Sequence, residues 1–185
     1  FFHISIAVYC TSAEVKGFEI DGQAKLSDRL SAQFGLTVLR AKFTDFTGAP
    51  FIAPNPNPPF GNGPTTPGDA TGNDLMRTPR LTLNVGLVYD LPTAIGDWQF
   101  SANYYYNDGF FWDPDNRLKQ RPYHLVDAGI AYRLPDNPSW RVRLWGKNLL
   151  NEKYYLQENQ IAGANGSASA PAAPRTYGIS LSYDM

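Results

Sequence analysis

All-β structure built from antiparallel strands is the fold class this sequence predicts. Three observations carry it. Apolar and polar residues alternate with period two over successive segments, short and long connections join those segments in turn, and aromatic residues, 14% of the chain, gather at segment ends.

Taken in order, His3 to Tyr9 is the weakest candidate strand. Phe18 to Leu26 is clearer: Phe18, Ile20, Ala24 and Leu26 share one face, and Glu19, Asp21, Gln23 and Lys25 share the other. After a short Ser27-Asp28-Arg29 turn, Ala32, Phe34, Leu36 and Val38 stand against Ser31, Gln33, Gly35 and Thr37, so the pair reads as a hairpin. Arg80 to Leu91 keeps Leu81, Leu83, Val85, Leu87, Tyr89 and Leu91 in phase. A compact turn at Pro92 to Asp97 then leads to Trp98–Tyr106, where Trp98, Phe100, Ala102, Tyr104 and Tyr106 are in phase. His124 to Leu134 sets Val126, Ala128, Ile130, Tyr132 and Leu134 against Asp127, Gly129 and Arg133. Trp140 to Asn148 opposes Trp140, Val142 and Leu144 to Arg141, Arg143 and Lys147, and Arg175 to Tyr183 aligns Tyr177, Ile179, Leu181 and Tyr183. The total is about eight strands.

The turns at Ser27–Arg29, Pro92–Asp97 and Pro135–Ser139 are short, whereas Gly48–Pro79, Asn107–Pro122 and Leu149–Pro174 are long. The first long connection holds eight of the chain's 15 prolines and five glycines, which argues against a regular ladder and for an irregular surface loop. A short connection near Thr11 breaks the alternation. Strands of about ten residues joined alternately by turns and long loops are the pattern of an outer-membrane barrel. Trp98–Tyr106 spans roughly 20 Å along the membrane normal at a tilt near 40°. Tyr132, Trp140 and Tyr183 fall by the short turns and Tyr104, Tyr106 and Tyr123 toward the long loops, giving two aromatic girdles. A soluble sandwich or lipocalin-like barrel would show the same alternation with its apolar face inward, and that alternative stays open.

Composition narrows the function classes. The longest apolar run, Ile6 to Cys10, is too short for a membrane helix or the core of a signal peptide. A net charge of −1 with acidic and basic residues intermixed gives no footprint for nucleic acid. The single cysteine, Cys10, excludes an intrachain disulfide. His3 and His124 are the only histidines and no Gly-x-Ser-x-Gly elbow accompanies them, so no catalytic residue is expected. Asp113, Asp115 and Asn116 hint at a calcium loop, but Leu118 and His124 stand where glycine and glutamate belong, and no metal site is expected. Glu19 and Asp21 share a face, which on a barrel wall reads as a solvated lumen. No cofactor is expected either.

For ligand contact the candidates are Phe110, Phe111, Trp112, Arg117 and Arg121, together with Lys119. They combine stacking and positive charge in one long loop, a mixture suited to a planar, anionic metal chelate. The bland reading is an outer aromatic girdle with cations facing lipid headgroups. Tyr154 and Tyr155 read as packing beneath their loop, and Arg141, Arg143 and Lys147 as lining the lumen.

Three stretches resemble the TonB-dependent outer-membrane receptors, in the last third of their barrel. Residues 140–155, WRVRLWGKNLLNEKYY, look like the family's penultimate strand and the turn that follows it, here Asn148, Leu149, Leu150, Asn151 and Tyr154. Residues 174–185, PRTYGISLSYDM, look like its last strand, with Arg175, Tyr177 and Tyr183, although the chain ends in Met185 where the family usually has Phe or Trp. Residues 12–22 carry a similar strand opening at Gly17, Phe18 and Glu19.

The resemblance implies that residues 1–185 are the C-terminal part of a barrel of about 22 strands, an open fragment without the family's plug domain and TonB box. Residues 1–10 fit least, and their origin is left open. It further implies a location in the bacterial outer membrane and import of a scarce ligand, most commonly a ferric siderophore. The implied partners are outer-membrane lipids, the barrel-assembly machinery at the last strand, and TonB through the missing N-terminal part. Two rivals remain: a self-contained eight-stranded barrel with a structural or adhesive role, and an outer-membrane hydrolase.

Overall fold

A computed structural model describes residues 12–58, 60–135 and 139–183. The predicted strand His3–Tyr9, its connection near Thr11 and Cys10 lie outside these residues. Among the described residues there are thirteen strands: β1 (Ser12–Lys25), β2 (Leu30–Asp45), β3 (Thr47–Asn55), β4 (Gly61–Asp69), β5 (Leu81–Thr93), β6 (Gly96–Asn107), β7 (Phe110–Phe111), β8 (Lys119–Gln120), β9 (Tyr123–Arg133), β10 (Trp140–Lys147), β11 (Tyr155–Gln160), β12 (Ser167–Pro171) and β13 (Thr176–Tyr183). No helix long and apolar enough to cross a membrane occurs among the described residues.

Seven of these strands form one open antiparallel wall in the order β1-β2-β5-β6-β9-β10-β13, and the other six form three two-stranded hairpins. The wall strands coincide with the alternating segments of the sequence, and their register explains the alternation. Reading across the sheet, Tyr89 pairs Phe100, Phe100 pairs Ile130, Ile130 pairs Leu144 and Leu144 pairs Ile179, so the apolar residues fall in one continuous row. One residue along each strand the other face appears, with Asp90 opposite Gln99, Ala131 opposite Arg143, and Arg143 opposite Ser180. No second sheet covers the apolar face among the described residues, and Ile179, Phe18 and Leu144 stand 73%, 59% and 52% exposed. A soluble sandwich would bury that face; a wall set in lipid leaves it bare. β1 and β13 are the two edges of the wall and do not pair with each other.

The short turns sit at one end of the wall. At the first, Leu26 N–H donates to Leu30 O at 2.8 Å, and the Ser27 hydroxyl accepts from the Arg29 and Leu30 N–H groups. The second is tighter than the predicted Pro92–Asp97 turn, because Pro92 and Thr93 still pair with Asp97 and Gly96, leaving only Ala94 and Ile95 between the strands. Gly96 makes this possible: its φ of +134° suits glycine, and a Cβ there would run into the Tyr132 ring. The third turn, Pro135–Ser139, lies partly outside the described residues.

At the same end Trp98 packs on Tyr132 at 4.6 Å and Trp140 on Tyr183 at 5.0 Å between ring centroids, an aromatic belt on the apolar face. Toward the long loops Tyr104 stacks with His124 at 6.4 Å. Tyr123 departs from the expectation. It pairs with Asn107, one residue out of phase with the apolar row, and its ring meets Tyr105 on the inward face.

The long connections correct a second expectation. Gly48–Pro79 was expected to be irregular, yet β3 and β4 pair within it, with Pro50 opposite Pro67. A two-stranded ladder leaves half of its N–H groups pointing outward, and those positions tolerate a residue that has none. The hairpin also encloses a small apolar core, Phe43, Ala49 and Ala70, with Phe46, Phe51 and Leu75 packed against it. The single-layer wall has no such core.

Candidate functional site

All three long connections leave the same end of the wall, and there the β3–β4, β7–β8 and β11–β12 hairpins knit together. Asn62 donates through Nδ2 to Ile161 O at 3.1 Å and to Gly166 O at 2.9 Å. Its backbone N–H reaches Ala164 O at 2.7 Å. Tyr155 N–H donates to the buried Gln120 Oε1 at 3.0 Å. Arg117 links all three, donating from Nη2 to Ile52 O of β3 and to Gln160 Oε1 of β11, while Gln160 Nε2 returns a hydrogen bond to Asp113.

The loop residues predicted to meet a ligand separate into two groups. Trp112 is buried at 7% exposure, edge-on to Phe110 at 4.8 Å and under the Arg77 guanidinium at 5.2 Å. Arg117 is engaged as described. Phe110 and Phe111, half-buried, instead border a recess of about 380 Å³ with Lys42, Arg80, Lys119 and Asp108. Lys119 Nζ lies 5.4 Å from the Phe111 ring centroid. Asp74 draws two of these cations inward, Arg80 at 2.7 Å and Lys42 at 3.7 Å, and exchanges a reciprocal pair of hydrogen bonds with Asn116. Arg121 is exposed. Lys42 and Arg80 were missed by the sequence reading because they close the wall strands rather than the aromatic loop, and only the register brings them there.

Asp113 and Asp115 form a turn rather than a metal cage. Asp113 Oδ1 accepts from Arg117 and Leu118 N–H, both at 3.1 Å, and Asp115 Oδ1 accepts from Arg117 N–H at 3.1 Å. No cluster of metal-ligating side chains occurs among the described residues. Burial, reinforced by the neighbouring Asp113 carboxylate, raises the Asp115 carboxyl above the usual range, and burial raises Glu158 as well. A carboxyl whose folded pKa is raised binds its proton more tightly in the folded state. These two groups therefore stabilise the folded loops increasingly as pH falls from neutral through their folded-state values. The amide-exchange protection factors of residues 113–118 and 155–160, which remove the intrinsic slowing of exchange at lower pH, are expected to rise as pH falls from neutral; falling protection factors would contradict this.

Arg117→Ala is expected to leave the wall intact while freeing the β3–β4 hairpin from β11. Limited proteolysis should then cut within 47–69 several times faster, and an unchanged rate would show that Asn62 and the Gly163 N–H to Gly63 O hydrogen bond hold the hairpins without Arg117.

The remaining motif residues lie at the wall and its margin. Gly17 pairs with Leu39, Phe18 with Val38 on the apolar face, and Glu19 with Thr37 on the inward face. Tyr154 stacks on Tyr123 at 4.5 Å and 7°, and burial raises its phenol pKa. Asn148, buried, takes a left-handed φ of +50° and Asn151 one of +54°. Arg175 N–H donates to Asn151 Oδ1 at 3.2 Å, and its guanidinium lies 6.0 Å from the ring of Tyr177, which is on the apolar face like Tyr183. Leu149 N–H donates to Val126 O at 2.8 Å.

Comparison with known proteins agrees with this architecture. Over 95% of its length the chain superposes on the ferric yersiniabactin uptake receptor FyuA from Yersinia pestis, with a TM-score of 0.75 at 17% identity and 24% of that chain covered. It superposes over 94% on the siderophore receptor PiuA from Acinetobacter baumannii, with a TM-score of 0.71 at 18% identity and 22% of that chain covered. The ferric citrate transporter FecA gives 0.69 at 17% identity, over 94% of this chain and 24% of that one. The chain thus spans about a quarter of the length of these receptors, and at such identities the likeness is one of fold. No curated protein sequence matches it. The family model described as TonB dependent receptor-like, beta-barrel, matches residues 5–149, most of the chain though short of the last strand. With the open antiparallel wall, its apolar and polar faces and its loops at one end, this shows that the chain belongs to the TonB-dependent receptor β-barrel family.

Proposed function

We propose that this chain is a stretch of barrel wall with the external loops of an outer-membrane receptor that imports a scarce ligand, a ferric siderophore complex, with energy delivered through TonB. The observation that carries this reading is the division of one sheet into an apolar face and a charged face, with three interlocked hairpins at a single end. The apolar face sits in lipid and the charged face borders the lumen. The edge of β13 meets the barrel-assembly machinery, and TonB acts through parts of the receptor beyond this wall. The ligand undergoes no chemistry here.

The ligand class rests on what the relatives are: FyuA and PiuA are siderophore receptors and FecA is a ferric citrate transporter. Within this chain Phe110, Phe111 and Lys119, joined by Lys42 and Arg80, offer stacking and positive charge to an anionic chelate, while Trp112 and Arg117 hold the loop in place. Arg121 is an outer contact.

The test is binding of a panel of ferric siderophores, cobalamin and oligosaccharides to the intact receptor in detergent. Saturable binding of a ferric chelate, weakened about tenfold in Lys119→Ala, is expected. Binding of cobalamin or a glycan alone would remove the iron assignment, and binding of nothing would remove the receptor reading.

A further inference from the structure

Two Asn-Gly pairs occur in the chain, Asn62-Gly63 and Asn165-Gly166, and the fold sets them beside each other where two hairpins meet. Asparagine before glycine carries both partners of a reaction. The side-chain amide carbon is an electrophile within reach of the next backbone nitrogen, and glycine has no side chain to hinder the approach. What decides whether the pair reacts is how firmly the fold holds the two groups.

Asn62 is held. It lies in β4, and its Nδ2 donates to Ile161 O at 3.1 Å and to Gly166 O at 2.9 Å. Its backbone N–H donates to Ala164 O at 2.7 Å, and Gly63 O accepts from Gly163 N–H at 3.0 Å. Gly63 is packed against β3, where a Cβ would stand 3.2 Å from Ala53 O. Turning the Asn62 side chain onto the Gly63 nitrogen would break the two amide bonds. Asn165 is the opposite case. It is exposed, lies between β11 and β12 outside either strand, and its side chain has no hydrogen-bond partner among the described residues. Gly166 is exposed as well, and a Cβ there would meet open space.

The surroundings of Asn165 give the reaction a consequence. The carbonyls on either side of it, Ala164 O and Gly166 O, are both acceptors for Asn62. Gly61, at a φ of +127°, lies flat against the same peptide: a Cβ there would collide with Ala164 O and stand 2.7 Å from Asn165 Cα. The β3–β4 hairpin is therefore fitted to the spacing of the backbone at 164–166.

We propose that Asn165-Gly166 is a site of spontaneous deamidation, and that its product loosens the β3–β4 hairpin from the β11–β12 hairpin. The Gly166 nitrogen gives its proton to solvent base and bonds to Asn165 Cγ, and the side-chain nitrogen leaves as ammonia. Water then opens the cyclic imide. Opening at the side-chain carbonyl gives aspartate; opening at the backbone carbonyl gives isoaspartate, in which the main chain runs through Cγ. Water is consumed, ammonia is released, and nothing is oxidised or reduced. Isoaspartate adds a methylene to the main chain between the Ala164 and Gly166 carbonyls, so Asn62 can no longer bond to both. Arg117, which reaches Ile52 O and Gln160, is then the remaining side-chain link between the hairpins. The reaction needs no ligand, and it stands or falls apart from the function proposed above.

The experiment is incubation of the intact, folded receptor in mildly alkaline buffer, followed by peptide mapping. The peptide containing Asn165 is expected to gain the mass difference between an amide and an acid and to separate into aspartate and isoaspartate forms. The peptide containing Asn62 should stay unchanged. In denaturant both should convert at similar rates, which assigns the contrast to the fold. Gly166→Ala, for which there is space, should slow conversion at residue 165 roughly tenfold or more, with heat-resistant migration on gels unaltered. Converted receptor should be cut by protease within 47–69 several times faster than fresh receptor, and faster still with Arg117→Ala. An Asn165 that survives incubation, or an Asn62 that converts as fast in the folded receptor, overturns the proposal. So does a contrast that persists in denaturant, conversion indifferent to Gly166→Ala, or a cleavage rate unchanged by conversion.

Discussion

Leu144→Arg is expected to prevent stable membrane insertion, whereas Ser101→Arg, of equal charge on the opposite face, is expected to be tolerated. Leu144 lies in the apolar row between Ile130 and Ile179 and is 52% exposed, with no second sheet over it among the described residues. A cation there at the bilayer midplane costs about 2–4 kcal/mol, a large share of a wall with no core of its own to draw on. Ser101 lies one residue out of phase, opposite Gly129 on the polar face, where a long side chain reaches water. Urea unfolding in lipid vesicles together with heat-modified migration of the intact receptor measures both. Equal destabilisation by the two substitutions would mean that the face assignment is wrong.

The same single-layer construction explains why the wall was legible in the sequence and the loops were not. Every wall strand has one apolar face and one polar face, with no second sheet over the apolar one among the described residues, so each residue declares its face by its chemistry. Phe100 and Ser101, or Leu144 and Arg143, can be assigned without knowing what lies beside them. Strand ends were less legible, because the phase of Tyr123 is set by its pairing with Asn107 and its stacking on Tyr154, and an amphipathic ring suits either face. In the loops the deciding contacts are between segments far apart in sequence. Nothing near Trp112 announces that Arg77 will cover it, and nothing near Arg117 that Ile52 and Gln160 will accept its hydrogen bonds. Proline content misled for a related reason: it reports a missing donor, and a lone hairpin has spare donors to lose. The aromatic and basic character of the candidate site was therefore readable, while the division of its residues between contact and support was not.

Asn148→Ala is expected to destabilise the connection between β10 and β13 by about 3 kcal/mol, the largest effect foreseen outside the membrane. The side chain is buried and forms three hydrogen bonds across the loop: Nδ2 donates to Glu152 O at 2.9 Å and to Ala173 O at 3.2 Å, and Oδ1 accepts from Glu152 N–H at 2.8 Å. Removing it takes these partners from the N–H and C=O of half-buried Glu152 and from the C=O of Ala173. It also places alanine at a φ of +50°, where asparagine is tolerated because its short amide bonds locally. Three variants separate these causes. Asn148→Gly loses the hydrogen bonds but carries no backbone strain, so it should lie about 1 kcal/mol above Ala. Asn148→Asp retains the acceptor and loses both donors, and should fall between Gly and the wild type. Asn151→Ala, at a similar φ of +54° but with a single longer bond to Arg175 N–H, should cost less than Asn148→Ala. The readout is the rate of proteolysis within 149–174, where Tyr154 stacks on Tyr123 and β11 anchors the other hairpins. If Asn148→Ala is cut no faster than Asn151→Ala, the loop is held by its contacts with the other hairpins and not by its own turn.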